Sequence, residues 1–129
     1  MISIFDSKNI FVGLKDGSLH QIYPETRAII KDYGKIHYGC IISMAVTRDS
    51  NFLIASGQDL AVRIISIPTK KVVKSFQGIT QFPIRTVQLA PGDKRLFVYD
   101  SNCNLKLIDL TDGTTLHDFP KVPKSTAYG

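Results

Sequence analysis

Short runs of alternating apolar and polar residues, separated by turn-forming residues, make up most of the 129-residue chain. In the stretch DLAVRIISIPTKKVVKSF, residues 59–76, Val62 and Ile64 alternate with Arg63 and Ile65 before a Pro-Thr-Lys turn. Such alternation predicts a β-strand, and the turn residues between the runs predict hairpins. Ile, Val and Thr are abundant and Glu occurs once, which also favours strands over helices. The chain is therefore predicted to be mostly or wholly β.

The pattern repeats every 43 residues. A shift by 43 positions aligns residues 59–76 with residues 16–33, DGSLHQIYPETRAIIKDY, and with residues 102–119, NCNLKLIDLTDGTTLHDF, without an insertion. Three sets of apolar positions keep their character through both shifts. They are Leu19, Val62 and Leu105; Ile22, Ile65 and Ile108; and Tyr33, Phe76 and Phe119. A gapless match of this kind indicates a structural repeat.

Each repeat contains four predicted strands. In the second repeat these are IISMAV, FLIAS, AVRIISI and KVVKSF, and the third has RTVQLA, RLFVY, LKLIDL and TLHDF. Every connection is short enough for a hairpin, so each repeat is predicted to form a four-stranded antiparallel meander. The predicted units are residues 1–39, whose first strand is incomplete, 40–82 and 83–123, followed by a tail over 124–129.

These repeats resemble the blades of WD-repeat β-propellers, which have four strands in about 40–45 residues, with a Gly-His signal early and a Trp-Asp signal late. His37 stands at the family's histidine, and AVTRDSNFLIAS stands where the family has A-F-S-P-D-G-x-x-L-A-S. Asp16, Asp59 and Asn102 match the aspartate of the family's tight turn. The resemblance implies about three blades in an open arc or partial propeller. Another antiparallel meander, such as a barrel or a kelch-like propeller, is the alternative.

The chain departs from the family at the tryptophan. It contains no Trp, and isoleucine occupies that position in all three repeats, as Ile22, Ile65 and Ile108. The resemblance implies that these side chains are buried at equivalent places between neighbouring sheets. In the family, histidine, aspartate, a hydroxyl and tryptophan form a buried hydrogen-bonded network. Only His37 stands at the family's histidine position, and no Trp is present, so the network is predicted to be incomplete. The blades are predicted to be held mainly by apolar packing.

Charge and cysteine content suggest a cellular setting. The formal net charge is +5, but the basic residues are dispersed. The chain has no apolar run near the ~20 residues of a membrane span, and MISIFDSKN lacks the features of a signal peptide. Cys40 and Cys103 are too few for the disulfide framework of a small secreted domain, so both are predicted to be reduced. We expect a soluble protein of the cytoplasm or the nucleus, without membrane contact.

Catalytic and metal-binding chemistry is not predicted. His20, His37 and His117 occupy different places in their repeats, and neither Cys-x-x-Cys nor His-x-x-x-His spacing occurs, so no metal site is expected. LAPGDKRLF has a single Gly in a hairpin turn and opens no helix, which excludes a phosphate-binding loop there. The chain is predicted to be a non-enzyme with neither a cofactor nor a small-molecule substrate.

Two functions remain open. The first is a protein-interaction scaffold, because the resemblance implies docking on the rim formed by the turns between second and third strands and by the connections between blades. The residues predicted to bind there are His37, Tyr38, Gln58, Asp59, Gln81, Phe82 and Asn102. Tyr38 and Phe82 are of the aromatic type that anchors interfaces. The alternative is a basic RNA-binding module, which requires Arg63, Arg85, Lys71 and Lys94 to share a face.

An open arc of three blades leaves two sheet faces uncovered. Propellers close with about 4–8 blades, each of which covers the apolar face of its neighbour. Exposed apolar faces of this size exceed what soluble monomers usually tolerate. A partner protein, a second copy of the chain or further blades of a longer protein are therefore expected to complete the propeller.

Overall fold

A computed structural model of the protein describes residues 2–5, 10–22 and 29–119. These residues form twelve strands, and none of them lies in a helix. The strands are β1 (Ile2–Phe5), β2 (Ile10–Gly13), β3 (Ser18–Ile22), β4 (Ile29–Lys35), β5 (Ile41–Val46), β6 (Phe52–Gly57), β7 (Val62–Ser66), β8 (Lys71–Phe76), β9 (Ile84–Leu89), β10 (Arg95–Asp100), β11 (Leu105–Asp109) and β12 (Thr115–Phe119). The predicted tail over 124–129 lies outside the described residues.

The strands form three four-stranded antiparallel sheets in sequence order. Sheet 1 contains β1 to β4, sheet 2 contains β5 to β8 and sheet 3 contains β9 to β12. The pairing register repeats with the 43-residue period, since Ile10 pairs with Ile22, Leu53 with Ile65, and Leu96 with Ile108. The predicted all-β fold of four-stranded meanders is confirmed. The first strand of sheet 1, β1, has four residues, whereas β5 and β9 have six.

Neighbouring sheets approach one another through their first strands. Strand β5 lies beside β1 on one side and beside β9 on the other. The fourth strands, β4, β8 and β12, are therefore at the outer edges of the sheets. Most side chains of β8 and β12 are exposed, as expected for an edge strand that pairs on one side only. The three sheets are thus arranged as an arc with the first strands innermost.

The apolar core is divided between the two seams where the sheets meet. Alternation along sheet 2 sends Leu53 and Ile65 to the seam with sheet 1, and Ile54 and Ile64 to the seam with sheet 3. Each seam has one continuous cluster of buried apolar residues. The first consists mainly of Phe11, Leu19, Tyr33, Ile41, Met44, Leu53 and Ile65, and the second of Ile54, Val62, Ile84, Val87, Leu96, Val98 and Ile108.

The isoleucines at the tryptophan position differ in their burial. Ile65 and Ile108 have no exposed surface, and each lies in the cluster at one seam. Ile22 is only half-buried. The expectation that all three lie between two sheets is therefore wrong for Ile22, because its face of sheet 1 is covered by no strand among the described residues.

Candidate protein-interaction site

Two kinds of connection meet at one end of the sheets. The turns β2–β3, β6–β7 and β10–β11 lie there together with the connections between sheets, residues 36–40 and 77–83. The Ile36 N–H donates to the Gly17 carbonyl at 2.8 Å, and the Ser101 N–H donates to the Pro83 carbonyl at 2.8 Å. Gly17 has φ +91°, and a Cβ there would lie 1.9 Å from the His37 carbonyl oxygen, so only glycine fits this approach. We call this end the rim.

A buried polar network joins the first connection to sheet 2. His37 Nε2 lies 3.1 Å from the Ala55 carbonyl, which can only accept, so Nε2 carries a proton. His37 Nδ1 lies 2.9 Å from Asp59 Oδ1 and 2.7 Å from Arg63 Nη1. Arg63 Nη1 also donates to Asp59 Oδ2 at 2.7 Å. The His37–Asp59–Arg63 network therefore connects the entry of sheet 2 with its β6–β7 turn and its third strand.

The environment of the network changes the pKa values of two of its members. Burial lowers the pKa of His37 below its usual range, the Arg63 charge acts in the same direction, and Asp59 opposes both without reversing the shift. Burial on its own would raise the pKa of Asp59, but hydrogen bonds from Arg63 and from the N–H groups of Tyr38 and Ala61 outweigh it and hold that pKa well below its usual range. At neutral pH the network is an Asp59–Arg63 ion pair beside a neutral imidazole.

Arg63 is the member of the network that sequence reasoning missed. In the sequence Arg63 is one of several dispersed cations, and the predicted network did not include it. A basic residue between Val62 and Ile64 in a strand with both faces covered was the available signal, since such a charge needs a partner. The connection between sheets 1 and 2 is thus held on sheet 2 by an ionic network, in addition to the apolar packing of the first seam.

Tyr38 projects from this network into solvent. Its N–H donates to Asp59 Oδ2 at 3.0 Å, and its side chain is 82% exposed. The Arg63 guanidinium carbon lies 5.8 Å from the centre of the Tyr38 ring, which is a cation–π distance. Beside the ring is a groove of about 280 Å³, lined by Lys35, Ile36, His37, Tyr38, Arg63 and Val72. We call it the Tyr38 groove.

The other predicted rim residues fall into two groups. Gln58 belongs with His37, Tyr38 and Asp59, because its side-chain oxygen accepts from the Cys40 N–H at 3.0 Å. The remaining three, Gln81, Phe82 and Asn102, lie at the rim of sheet 3, and all three are exposed. The rim thus has one group of candidates at the entry to each of sheets 2 and 3.

The acid of the tight turn in sheet 3 is Asp100. Asn102 was predicted for this place, but Asp100 is the buried residue whose carboxylate accepts from the backbone N–H groups of Asn102 and Asn104, each at 3.0 Å. Thr80, which follows His37 by 43 residues, donates its hydroxyl to Asp100 Oδ2 at 2.6 Å. The prediction was wrong because the acid lies at the end of β10, two residues before the aligned position.

In sheet 1 the corresponding aspartate is exposed. Asp16 Oδ1 accepts from the Ser18 N–H at 2.9 Å, which closes the β2–β3 turn. Hydrogen bonds from Ser18 lower the pKa of Asp16, and the charge of Lys35 lowers it further. Asp16 therefore stabilises its own turn, whereas Asp59 and Asp100 connect a turn to the preceding connection.

Other chemistry finds little support in the described part of the chain. Within residues 2–5, 10–22 and 29–119, no three His, Cys, Asp or Glu side chains are grouped so that they could hold a metal ion. Cys40 and Cys103 are free thiols. No described helix is long and apolar enough to span a membrane. Of the cations considered for RNA binding, Arg63 is engaged in the network, whereas Arg85 in β9, Lys71 in β8 and Lys94 in the β9–β10 turn are exposed.

One face of sheet 3 is apolar and uncovered by any described strand. Strand pairing aligns Phe97 with Leu107, and Tyr99 with Leu105 and then Phe119, on the face opposite to sheet 2. Phe97, Leu105 and Leu107 are half-buried, and Phe119 is 44% exposed. The residues 43 positions earlier, Ile54, Val62, Ile64 and Phe76, belong to the second seam. We call this surface the open face of sheet 3.

A basic side chain crosses each covered seam at the same place. Lys31 Nζ lies 3.4 Å from the Ile67 carbonyl, and Lys74 Nζ lies 3.3 Å from the Leu110 carbonyl and 2.8 Å from that of Thr111. The two donors, Lys31 and Lys74, are 43 residues apart, and so are the acceptors Ile67 and Leu110. His117 occupies this position on the open face of sheet 3, and its ring stacks on Phe119 at 5.9 Å.

Comparison with known proteins identifies the architecture. No protein-family model matches the chain. Its structure is similar to the β-propeller domain of Cps50 (Swd1) from Myceliophteria thermophila, with a TM-score of 0.82 and 19% sequence identity. The match covers 96% of this chain and 40% of that one, so the chain spans less than half the length of the protein it matches. Together with the three repeated sheets, this likeness shows that the chain folds as three blades of a β-propeller.

Proposed function

We propose that the chain is a non-catalytic protein-interaction scaffold made of WD-repeat blades. The observation that carries the proposal is the open face of sheet 3. Its apolar residues stand 43 positions after residues of sheet 2 that sheet 3 covers. Burial of apolar surface is the main force in protein association. The open face is therefore completed by further propeller blades, either in the same protein or in a second copy, and the rim receives other proteins.

The WD-repeat assignment is supported by the rim of sheet 2. His37 and Asp59 stand at the positions of the family pattern, 22 residues apart, and their side chains approach to 2.9 Å. Thr80 and Asp100 form the corresponding contact in sheet 3. Replacement of the tryptophan by Ile65 and Ile108 leaves these contacts intact. The blades are divergent members of the family in this proposal.

Protein docking at the rim is supported by Tyr38. An exposed aromatic ring contributes most to binding when its backbone is already held in place, because little ordering remains to be done on association. The Tyr38 N–H is bonded to Asp59, and Arg63 lies under the ring. Tyr and Arg are more frequent in protein interfaces than on the rest of the protein surface, and both are present at this site.

The open-face proposal is tested by the mass of the chain in solution. We expect light scattering across a range of concentrations to show self-association, or a dye for exposed apolar surface to bind the monomer. Leu107→Glu should weaken either effect, because it places a charge at the centre of the open face. Val73→Glu is the matched control, since Val73 is exposed on the edge strand β8. A monomer near 14 kDa that binds no dye would overturn the proposal.

A further inference from the structure

The charged side chains that line the Tyr38 groove are of one sign. Its two charged side chains, Lys35 and Arg63, are both cations. The nearest carboxylate in the network, Asp59, is fully engaged: Oδ1 is in contact with His37 and the Ala61 N–H, and Oδ2 with Arg63 and the Tyr38 N–H. A basic partner would therefore find no free carboxylate in the lining.

The apolar part of the groove is equally well defined. Val72 on β8 forms one wall and is 42% exposed, while Ile36, the first residue after β4, is buried. The exposed Tyr38 ring stands at the rim end. A chain segment in the groove can thus place an apolar side chain between Val72 and Tyr38 while an adjacent acidic group faces Lys35.

The groove exists before any partner binds. The Ile36 N–H is bonded to the Gly17 carbonyl at 2.8 Å, and the Tyr38 N–H is bonded to Asp59 at 3.0 Å. These bonds anchor the connection to sheets 1 and 2 on either side of His37. A preformed site loses little conformational freedom on binding, and this favours recognition of a short, flexible segment.

From these observations we propose that the Tyr38 groove binds an acidic peptide segment of a partner protein, in which a carboxylate faces Lys35 and Arg63 and a neighbouring apolar side chain contacts Tyr38 and Val72. This inference rests on the proposed scaffold function. The net charge of +5 acts in the same direction, because it attracts acidic partners at long range.

Asp16 provides a specific test of the charge argument. It lies outside the groove lining but close enough to Lys35 for the ammonium to lower its pKa. In the free protein it therefore competes with the carboxylate of a bound peptide. Asp16→Asn keeps the side-chain oxygen that closes the β2–β3 turn and removes the charge. The proposal predicts stronger binding from this substitution and weaker binding from Lys35→Gln.

The experiment titrates the isotope-labelled chain with acetyl-Asp-Leu-Asp-Phe-Asp-amide and follows backbone amide shifts by NMR. We expect changes in amide chemical shift at Lys35, Tyr38 and Val72. The same peptide with every Asp replaced by Asn should bind at least about tenfold more weakly. Lys35→Gln should weaken binding roughly three- to fivefold, and Asp16→Asn should strengthen it roughly twofold, as for exposed ion pairs. Lys94→Gln, which removes an exposed lysine at the opposite end of the sheets, should change binding less than 1.5-fold, about the low end of that range.

Equal binding of the two peptides, shifts confined to another surface, or an unchanged affinity in Lys35→Gln would overturn the proposal. A general loss of structure cannot imitate the expected result, because Lys35→Gln and Asp16→Asn change the affinity in opposite directions. The scaffold proposal fails independently of this result, since its own measurement of mass and dye binding is made without peptide.

Discussion

The two seams between the sheets carry different polar chemistry at equivalent positions. Between sheets 1 and 2, His37 meets Asp59 at 2.9 Å with Arg63 beside them. Between sheets 2 and 3, Thr80 donates a neutral hydroxyl to Asp100 at 2.6 Å. Both contacts attach the connection between two sheets to a tight turn. The repeat therefore keeps the place of this contact and its role in anchoring the connection, while the charge of its members varies.

The apolar part of the two seams is alike. Ile65 and Ile108 lie 43 residues apart, both are without exposed surface, and each pairs with a leucine of the preceding strand. The seams should therefore respond equally to loss of apolar packing and differently to loss of charge or to a change of pH.

The largest effect is expected from truncation of the buried isoleucines. Ile65→Ala and Ile108→Ala should each lower the free energy of unfolding by about 2–5 kcal/mol, because each leaves a cavity in a packed seam. Ile22→Ala is the control and should cost clearly less, since Ile22 is half-buried. Urea denaturation measures all three. Equal losses for Ile22 and Ile65, or an unchanged midpoint for Ile65→Ala, would contradict this account of the seams.

A smaller effect should distinguish the polar contacts. Asp59→Asn should cost about 3 kcal/mol, because it leaves the Arg63 charge in a mostly buried site without its partner. Thr80→Val should cost only ~1–2 kcal/mol, since it removes the hydrogen bond to Asp100 and the one accepted from the Phe82 N–H but leaves no charge opposite another unpaired charge. Asp16→Asn, at the exposed turn of sheet 1, should change stability by less than about 0.5 kcal/mol. Equal losses of unfolding free energy for Asp59→Asn and Thr80→Val would show that the charge of the Asp59–Arg63 pair adds nothing to stability.

The smallest effect is expected from pH. The folded-state pKa of His37 is lowered, so the unfolded chain binds the proton more readily, and stability should fall as the pH drops below about 6.5. Asp59 and Asp100 also have lowered pKa values, and their contributions should be lost only below about 3.9, as the pH falls towards their folded values. Denaturation midpoints between pH 7 and 5 test this: His37→Gln should flatten the decline, and an unchanged slope would count against His37 as its source.

The strands and their period could be predicted from the sequence because both depend on local patterns. Alternation of apolar residues specifies a strand, and the turn residues between the runs specify hairpins. The resemblance to propeller blades placed His37, Tyr38, Gln58 and Asp59 in neighbouring connections. In the structure His37 and Tyr38 contact Asp59, and the Gln58 side chain accepts from the same connection through the Cys40 N–H. A repeat transfers the geometry of one unit to the next, so its loops can be located without a structure.

The members of the polar contacts could not be predicted as well. Asp100 replaced Asn102 because alignment by residue number does not show at which residue a strand ends and its turn begins. Arg63 was missed because its role depends on the approach of a connection from another sheet, which brings His37 within 2.7 Å. The local pattern encodes neither the residue at which β10 ends nor the approach of His37 to Arg63.

Periodicity along single strands specifies the β architecture, the four-stranded unit and the set of residues that can face a neighbouring sheet, so all three follow from the amino-acid sequence. Which of those faces are covered depends on how the sheets pack against one another. Ile65 and Ile22 occupy the same position in the repeat, yet one is buried and the other half-exposed, because burial depends on what lies across the seam. The position of Arg63 beneath Tyr38 likewise depends on the folded chain, since the two residues meet only when the connection folds against sheet 2.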